Sequence, residues 1–461
     1  MKKKIVAGLL SVLMLAGCGT GAGNLGGSGS AADPAGQTQE TNNEKPEEKP
    51  SSFEGAELSG EAVNLTEGIE VINLSAESVP DEWISSMSGA SVEMLSNIME
   101  ESGEGAIILI SPTSIMMAFG IAENGAGGET LSQIERTISG GVPVEQMNNI
   151  ALAMANHMEG SGDVNWNVAN SLWFNEEGNW EINPDFASAA KNYYDADLWR
   201  AHFNNETVRD INNWVNNETY GMIPSIIDEM PDDARMFIIN ALAFEGEWKE
   251  MYEESDVYEN RDFHNYDGTV TSATLLRSQE DKYFKLGNGT GFTRDYKGGE
   301  YSFFGILPDE GVSVEDYIAK LANKDLDLAE AIRNQKTYEG DIYVMIPEFN
   351  MDFDIEMSDL LAQMGMPNAF DPNNADFYGM MNCLDEGEYE IWLSKVLHKT
   401  HIEVNRAGTR AAAVTALELD TCSAVMIDDQ PLWITLDRPF VYGIVDNETG
   451  LPVFFGCVNS L

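Results

Sequence analysis

The sequence predicts one large α+β domain that follows an unfolded N-terminal segment, and three observations support this prediction. Helical and strand patterns intermix from about residue 70 to the C-terminus. The apolar strands are long, and several alternate in the manner of antiparallel sheets. No change in composition divides this region, and the 43% hydrophobic residues of the whole chain suffice for a large core.

The individual elements follow in chain order. "ASVEMLSNIMEES" has the spacing of an amphipathic helix. "GAIILISPTSIMMAFGIAENGAGGETLSQIERTI" predicts a short strand and then a helix that is apolar nearly all round, with Ser111 as N-cap and Pro112 in the first turn. A third helix, "VRDINNWVNNETYGMIPSII", ends near Gly221. Further strands are predicted over "VNWNVANSLWFN", "ARMFIINALAFEGEWKEMY" with a turn at Gly246, "EYSFFGILP", "GDIYVMIPEFNMDFD", "QPLWITLDRPFVYGIVDNETG" and "LPVFFGCVNSL".

The N-terminus carries a targeting segment. Lys2, Lys3 and Lys4 precede an apolar stretch that is too short to span a bilayer. This stretch ends in "LAGC", which looks like a bacterial lipoprotein signal, so that residues 1–17 would be cleaved off and the sulfur of Cys18 acylated. An ordinary signal peptide with an incidental cysteine is the alternative. We expect the protein in the cell envelope, lipid-anchored and facing outside the cytoplasmic membrane.

The composition of residues 18–70 predicts a disordered acidic tether that begins at the lipidated cysteine. They are rich in Gly, Ser, Pro, Glu, Asn and Gln and lack the apolar residues that folding requires. The folded domain is therefore predicted over residues 71–461. The membrane would be contacted through the lipid alone, because no later segment has the ~20 apolar residues of a membrane helix.

Charge and cysteine content exclude several classes of function. The formal net charge is −51 and the pI is near 4.1, so repulsion from phosphate argues against nucleic acid as a partner. No pair among Cys383, Cys422 and Cys457 has the spacing of zinc ligands. A disulfide between Cys383 and Cys457 stays open, although small buried or half-buried thiols are the simpler interpretation. We expect no metal and no cofactor.

The stretch from Gly408 to Ala424 is rich in small residues that neither fill a core nor solvate a surface well. At strand spacing, every second residue from Thr409 to Thr421 shares one uncharged face, whereas Arg410, Glu418 and Asp420 fall on the other. This pattern is typical of a strand with one buried side. Alanine also favours helices, and the stretch alone leaves both structures open.

Five sequence blocks between residues 75 and 461 recur in one order in a known family: "LISPTSIMMAFGIAENGAGGETLSQI", "INNWVNNETYGMI", "INALAFEGEWKEMY", "LHKTHIEVNRAGTRAAAVTA" and "DRPFVYGIVDNETGLPVFFGCV". Together they resemble the serpins. The resemblance implies a serpin fold with three β-sheets, about nine helices and an exposed reactive-centre loop at about residues 406–432. In serpins this loop is bait for a protease, and after cleavage it inserts as a new strand into the largest sheet.

The loop hinge implied by the resemblance comprises Gly408, Thr409, Ala411, Ala412 and Ala413. The glycine would let the chain turn where a Cβ would obstruct the backbone. The small residues would enter first, because the sheet must open around them. No proline occurs in the segment that would insert, so every inserted N–H can pair.

The reactive bond is predicted between Cys422 and Ser423, fourteen residues after the hinge glycine as the family counts it. The stretch that follows is longer than is usual in serpins, which leaves Val425 or Met426 as alternative cut positions. Cys422 is small and fairly apolar, and no Lys or Arg occurs between residues 414 and 430, so we expect an elastase-like target with a small specificity pocket. An incidental exposed thiol is the alternative for Cys422.

A polar cluster beneath the opening sheet is also implied by the resemblance. Ser111, Ser114, Asn240 and His398 match it, and they would hydrogen-bond and control strand separation. Helix caps or satisfied core residues are the alternative. Trp248 matches the aromatic residue at the top of the sheet, where insertion begins, with a plain core tryptophan as the alternative.

These features predict a protein without catalysis of its own, namely a suicide-substrate inhibitor. It would form a covalent complex with a serine protease, with a cysteine protease as a further candidate, and we expect a monomer. Arg406, Ala407 and Arg410 stand where serpins often have acidic residues. Because these residues would lie on the hinge or on the solvent-exposed face of the inserted loop, we expect the protein to remain an inhibitor. The alternatives are a non-inhibitory serpin acting as a surface binding module and a surface-anchored hydrolase, for which the sequence has no catalytic motif.

Overall fold

The computed structural model describes residues 53–160, 162–323, 326–384, 390–409 and 430–461. The predicted signal peptide, Cys18 and residues 410–429 lie outside these described ranges.

Nine α-helices occur within the described ranges, as the resemblance implies. They are α1 Asp81–Ser102, α2 Pro112–Glu123, α3 Gly128–Thr137, α4 Val144–Gly160, α5 Pro184–Tyr194, α6 Asn205–Glu218, α7 Val314–Ala322, α8 Leu328–Arg333 and α9 Ser358–Met364. The Ser111 hydroxyl oxygen accepts the Ser114 backbone N–H at 3.2 Å, which confirms the predicted start of α2. None of these described helices is long and apolar enough to cross a membrane.

Eighteen strands occur in the same ranges. They are β1 Val63–Asn64, β2 Ile108–Ile110, β3 Val164–Asn175, β4 Trp180–Ile182, β5 Asp197–Ala201, β6 Met236–Glu247, β7 Val257–His264, β8 Val270–Leu286, β9 Gly289–Asp295, β10 Tyr301–Pro308, β11 Lys336–Pro347, β12 Phe349–Glu356, β13 Met381–Cys383, β14 Leu393–Val404, β15 Gly408–Thr409, β16 Leu432–Thr435, β17 Phe440–Asp446 and β18 Pro452–Val458. The turn predicted at Gly246 is wrong, because this residue pairs with Val164 on one side and Thr409 on the other and β6 continues through it.

The strands form three sheets in the described chain, which confirms the predicted α+β class. Sheet A has seven strands in the order β1-β5-β3-β6-β15-β14-β12. The second sheet has nine strands in the order β16-β11-β8-β9-β10-β17-β18-β2, with β7 beside β8, and β13 pairs with β4 in the third. In sheet A, β6 lies antiparallel to β3 and parallel to β14.

Helix α2 positions the site because it packs behind sheet A. All twelve of its residues are buried, which explains why its sequence is apolar nearly all round. It shares a hydrophobic cluster with Met236 and Ile238 of β6 and with Val396 of β14. The first turn of α2 therefore lies against the middle of sheet A.

The folded domain begins earlier than residue 71, which corrects the predicted end of the tether. Val63 and Asn64 form β1 and pair with β5, and Leu58 and Ala62 pack against a hydrophobic cluster on sheet A. The sequence assigns residues 53–70 to the tether because their mainly polar composition hides the few apolar side chains that dock.

Both cysteines in the described residues are free thiols. Cys457 is buried in β18, and burial raises its pKa to about 12. Cys383 is exposed on β13, so the expectation that it is at least half-buried is wrong, and the two thiols form no disulfide. Strand β13, which carries Cys383, pairs only with β4 in the described chain, so one edge of this strand has no neighbouring strand.

Glu123, the last residue of α2, is a buried carboxyl group whose Oε1 accepts a hydrogen bond from the Ser139 hydroxyl. Burial raises its pKa to about 8, although the Ser139 bond opposes the rise. The folded chain therefore retains a proton that the unfolded chain loses near pH 4.5. This contribution to stability is fully present below that pH and is lost as the pH rises through about 8.

In the wild type, we expect the titration of Glu123 to lower the unfolding free energy between about pH 5 and pH 8, by at most about 1.4 kcal/mol per pH unit. In Glu123→Gln this fall should be smaller, because the amide carries no proton to retain. Urea unfolding across this pH range measures the effect. Glu93→Gln, on the exposed side of α1, is the control. The same slope for wild type and Glu123→Gln would contradict the assignment.

Candidate functional site

The predicted hinge enters the top of sheet A. Gly408 pairs with Glu247, and Thr409 pairs with Gly246, in antiparallel register with β6. Thr409 also pairs with Val404 of β14. Strand β15 therefore separates β6 from β14 at this end, while the two strands pair directly below it. We call this boundary between β6 and β14 the seam.

Thr409 faces the interior, which is the direction that the alternation of the sequence predicts. It is fully buried, and its Oγ1 lies 2.5 Å from the hydroxyl oxygen of Tyr296. At Gly408 a Cβ would lie 2.1 Å from the carbonyl oxygen of Gly246, so the close approach of two backbones requires glycine here.

Asn405 shapes the turn that leads from β14 into β15. Its Oδ1 accepts the backbone N–H groups of Ala407 at 2.8 Å and Gly408 at 3.2 Å. Its own N–H donates to the Gly408 carbonyl oxygen at 2.9 Å. The sequence analysis missed this residue, although an Asn three positions before a Gly is a common turn signal.

Trp248 holds the same turn from the side of β6. Its indole Nε1–H donates to the carbonyl oxygen of Asn405 at 2.9 Å, and its backbone N–H donates to that of Ala407 at 3.0 Å. The ring stacks on Tyr296, with centroids 4.7 Å apart and planes 7° apart. Trp248 therefore does more than fill the core, because it fixes the point where the hinge enters the sheet.

A buried ion pair lies beneath Trp248. Arg294 Nη1 donates to Glu280 Oε1 at 2.9 Å, and the guanidinium carbon lies 4.2 Å from the ring centroid of Tyr252 and 5.4 Å from that of Trp248. Burial raises the pKa of Glu280, although Arg294 opposes the rise. Removing one partner would leave an uncompensated buried charge at the hinge.

Arg406 finds an acidic partner in spite of its departure from the family pattern. Its Nε lies 3.4 Å from Glu348 Oε1, which also accepts its backbone N–H at 3.2 Å. The side chains are 44% and 25% exposed, so the pair contributes little more than local order. Ala407 is buried, and Arg410 lies outside the described residues.

The four residues of the predicted polar cluster meet behind the seam. His398 Nδ1 lies 2.5 Å from Asn240 Oδ1, and His398 Nε2 accepts the Ser111 backbone N–H at 3.1 Å. Asn240 Nδ2 donates to the carbonyl oxygen of Ser114 at 3.1 Å and to the Ser114 hydroxyl. The same amide nitrogen donates to Oδ1 of Asn170, which the sequence analysis missed.

The protonation of His398 follows from its partners. Burial lowers its pKa to about 3, so the ring is neutral at physiological pH. Because Nε2 accepts a hydrogen bond from an amide, the one ring proton is on Nδ1 and is donated to Asn240. The cluster is thus a directed set of hydrogen bonds that requires a neutral imidazole.

The cluster ties together three strands and the helix behind them. His398 lies opposite Asn240 in the β14–β6 register, and Asn240 lies opposite Asn170 in the β6–β3 register. Two residues further along β14, Thr400 Oγ1 donates to the Leu109 carbonyl oxygen on β2 at 2.7 Å. Thr400 shares the inward face of His398 at strand spacing, and that spacing is the signal that could have identified it. Opening the seam must break the bond between His398 and Asn240.

The remaining predicted site residues lie outside the described residues, and the structure says nothing about them. They are Cys18, Ala411, Ala412, Ala413, Cys422 and Ser423. Within the described ranges no group of three or more His, Cys, Asp or Glu side chains is arranged to hold a metal ion.

Comparisons with known proteins identify the family. The serpin (serine protease inhibitor) family model matches residues 86–461. Iripin-8 of Ixodes ricinus is 27% identical over 368 residues, which cover 77% of this chain and 88% of that protein. Leukocyte elastase inhibitor A of Rattus norvegicus is 25% identical over 398 residues, which cover 82% of this chain and 100% of that protein.

Among solved structures, tengpin, a thermophilic serpin in its native state, aligns with a TM-score of 0.79 at 34% identity. The alignment covers 87% of this chain and 100% of the tengpin chain. The chain therefore belongs to the serpins, a family of protease inhibitors.

We expect His398→Gln to lower the unfolding free energy at neutral pH by about 1–3 kcal/mol, because partners in the buried cluster lose hydrogen bonds. The deficit relative to wild type should shrink as the pH falls. A depressed histidine pKa makes the wild type lose stability below the unfolded value of 6.5 and down towards 3, and the glutamine variant does not share this loss.

Chemical unfolding between about pH 7.5 and pH 4.5 measures this deficit. His401→Gln, on the same strand but bonded to Asp352, is the control for a histidine outside the cluster. A deficit that stays constant over this range would show that His398 is not held neutral by burial.

Proposed function

We propose that this serpin is a suicide-substrate inhibitor of serine proteases with an elastase-like preference. The observation that carries the proposal is the position of Thr409, which lies buried between β6 and β14 at the top of the seam. A loop whose first residues already pair with β6 and β14 can extend this pairing along both strands once a peptide bond near the other end of the loop is cleaved.

The register of β15 supports this mechanism. If the register is continued, residue 415 falls opposite Asn240 on β6 and also opposite His398 on β14. Thr415 would then stand at the point where opening the seam removes a hydrogen bond, and its hydroxyl can both donate and accept. The small residues Ala411 and Ala413 would share its inward face.

The length of the loop also fits. In the same register, residue 419 falls opposite Met236, the first residue of β6, so Cys422 would lie just past the lower end of the seam. The fourteen residues from Thr409 to Cys422 span roughly 45 Å as a strand. A cut after Cys422 would thus release a segment that fills the whole seam and little more.

The chemistry would be the protease's own. Its serine would attack the carbonyl carbon of Cys422, the bond to the Ser423 nitrogen would break, and the protease would be left as an ester on Cys422. Insertion would then carry the attached protease towards the opposite pole of the domain. Inhibition requires that insertion precede hydrolysis of the ester.

The preference for small residues rests on the sequence around the cut. Cys422 is small, and no Lys or Arg lies between residues 414 and 430, which argues against trypsin-like targets. The name of the rat relative, leukocyte elastase inhibitor A, points to the same class of enzyme. Val425 and Met426 are the alternative cut positions, and a cysteine protease is the alternative target.

The N-terminal sequence supports a location at the cell envelope. We propose that Cys18 carries lipid and that residues beyond it hold the inhibitory domain away from the membrane. The "LAGC" signal and the polar composition of the following segment support this assignment.

Incubation of the purified protein with pancreatic elastase tests the inhibitory function. We expect a covalent complex that survives boiling in detergent, and mass spectrometry of the released C-terminal fragment should place its first residue at Ser423. Cleavage without a complex would favour a non-inhibitory serpin that serves as a binding module.

We expect Thr409→Arg to convert the inhibitor into a substrate, because a charged side chain would be forced into a fully buried position. The ratio of inhibitor consumed to protease inhibited should rise at least about tenfold. Ala412→Arg is the matched control, since residue 412 would lie on the outward face and the variant should still inhibit. Equal ratios for the two variants would refute the assignment of the inward face.

A further inference from the structure

The seam determines which neighbours the charged residues of the loop would meet after insertion. The segment between Thr409 and the predicted cut has three charged residues: Arg410, Glu418 and Asp420. At strand spacing all three fall on the outward face, opposite to the face of Thr409. The register that pairs Thr409 with Gly246 and Val404 can be continued along both strands, and it assigns a neighbour to each charge.

Arg410 would enter between two glutamates at the top of the seam. Position 410 directly follows β15, and the continued register places it opposite Glu245 of β6 and Glu403 of β14. Both glutamate side chains are half-buried, and they alternate with the inward residues of their strands. Opposite side chains of neighbouring strands have Cβ atoms about 4.5–5.5 Å apart, which is within reach of an ion pair.

The other neighbours of these glutamates are uncharged. In the strand registers, Glu245 lies opposite Asn165 of β3, and Glu403 lies opposite Asn350 of β12. Asn405 Nδ2 donates to Glu403 Oε1 at 3.2 Å, which holds this carboxylate beside the hinge turn. Two carboxylates that flank one position favour a cation there. This accounts for an arginine at a position where serpins often have an acidic residue.

The two acidic residues of the loop would meet cations at the lower end of the seam. Position 418 falls between Lys395 of β14 and Phe237 of β6, which now lie opposite each other. Lys395 forms no ion pair with another described residue. Position 420 falls opposite Arg235, the residue before β6, whose Nη1 lies 2.9 Å from the exposed Glu177 carboxylate.

The composition of the chain makes this match unexpected. The sequence has 26 Lys and Arg residues against 77 Asp and Glu residues, so a charged neighbour is far more often acidic than basic. Nevertheless, both acidic residues of the loop would face a cation, and its one cation would face two acidic residues. The charges of the loop and of the seam are therefore complementary, as in the cross-strand pairs that stabilise a sheet.

Complementary charges define a register that alternation alone does not define. A slip by two residues keeps the inward and outward faces, because the side-chain period of a strand is two. If the lower part of the loop stopped two positions short, Glu418 would fall between Ile239 and Leu397, which are 0% and 7% exposed. The carboxylate would then be buried among apolar side chains without a partner, which is costly.

We propose that four charged residues of the seam form a receiving site for the loop segment 410–420: Glu245, Glu403, Lys395 and Arg235. The inference rests on the proposed function and deepens it, because it names the residues that position the loop during the same insertion step. The two glutamates guide the first inserted residue. The two cations hold the strand at full depth, so that the attached protease is carried along the whole seam.

A charge exchange between residues 395 and 418 tests the pairing. The full-length mature protein is compared with Glu418→Lys, with Lys395→Glu and with the variant that carries both substitutions. The measured quantity is the number of inhibitor molecules consumed for each elastase molecule trapped. We expect each single exchange to raise this ratio about twofold to fivefold, because it places like charges opposite each other, and the double exchange to restore the wild-type ratio.

Lys399→Glu combined with Glu418→Lys is the matched control. Lys399 shares the outward face of β14 with Lys395, but it lies opposite Ala241, and the continued register adds Val414 rather than a charge. An acid at this position should leave the ratio at the value of Glu418→Lys alone. The effects of the single exchanges should also shrink at about 1 M salt, where the Debye length falls to about 3 Å, whereas a packing defect would persist.

Thermal unfolding of the cleaved proteins measures the pairing without trapping. After cleavage beyond residue 420, each single exchange should lower the melting temperature of the cleaved form by about 1–3 °C, and the double exchange should restore it. The intact forms of the wild type and of Lys395→Glu should melt together, because the pair forms only after insertion.

The outcomes separate this inference from the proposed function. If the wild type forms no covalent complex, the proposed function fails, and the melting temperatures of the cleaved forms still decide on the pairing. If the double exchange stays as impaired as the single ones in both measurements, residues 395 and 418 do not pair and the inference is overturned. Equal restoration by Lys399→Glu would also overturn it, since it would show a response to total charge rather than to register.

Discussion

The hydrogen bond between His398 and Asn240 is the interaction on which the arrangement of sheet A depends. It joins β14 to β6 in the middle of the seam, and Asn240 extends the connection to Asn170 on β3 and Ser114 on α2. These groups are buried, so a broken bond leaves polar atoms without water to replace the partner. Separating β6 from β14 therefore costs buried hydrogen bonds unless a new polar side chain arrives between the two strands.

Two parts of the molecule act on this seam from different directions. Thr409 keeps its upper end open and in register for further pairing. The polar cluster closes its middle from behind. Under the proposed mechanism, the persistence of the inhibitory state would depend on a barrier rather than on the lowest free energy. Substitutions far from the loop can therefore change inhibition without any contact with a protease.

The sequence predicts the parts of this arrangement that depend on local pattern or on family blocks. The alternation of the loop indicates that Thr409 faces inward, and the serpin blocks identify Asn240 and His398. The partner of Thr409 could not be predicted, because Tyr296 lies 113 residues away and no local pattern specifies such a pair. The contact of residues 56–59 with α6 escapes prediction for a similar reason, since Asp210, Asn213 and Asn217, which bind that segment, form a polar stripe that resembles the solvated side of an amphipathic helix.

In the proposed mechanism, the intact protein stores free energy that loop insertion releases. Thermal unfolding of the intact protein, compared with the same protein cleaved within residues 410–429, tests it most directly. We predict that the cleaved protein melts at least about 10 °C higher, because a new central strand adds a ladder of hydrogen bonds and buried side chains. A cleaved protein that melts at the same temperature as the intact one, or below it, would contradict the account.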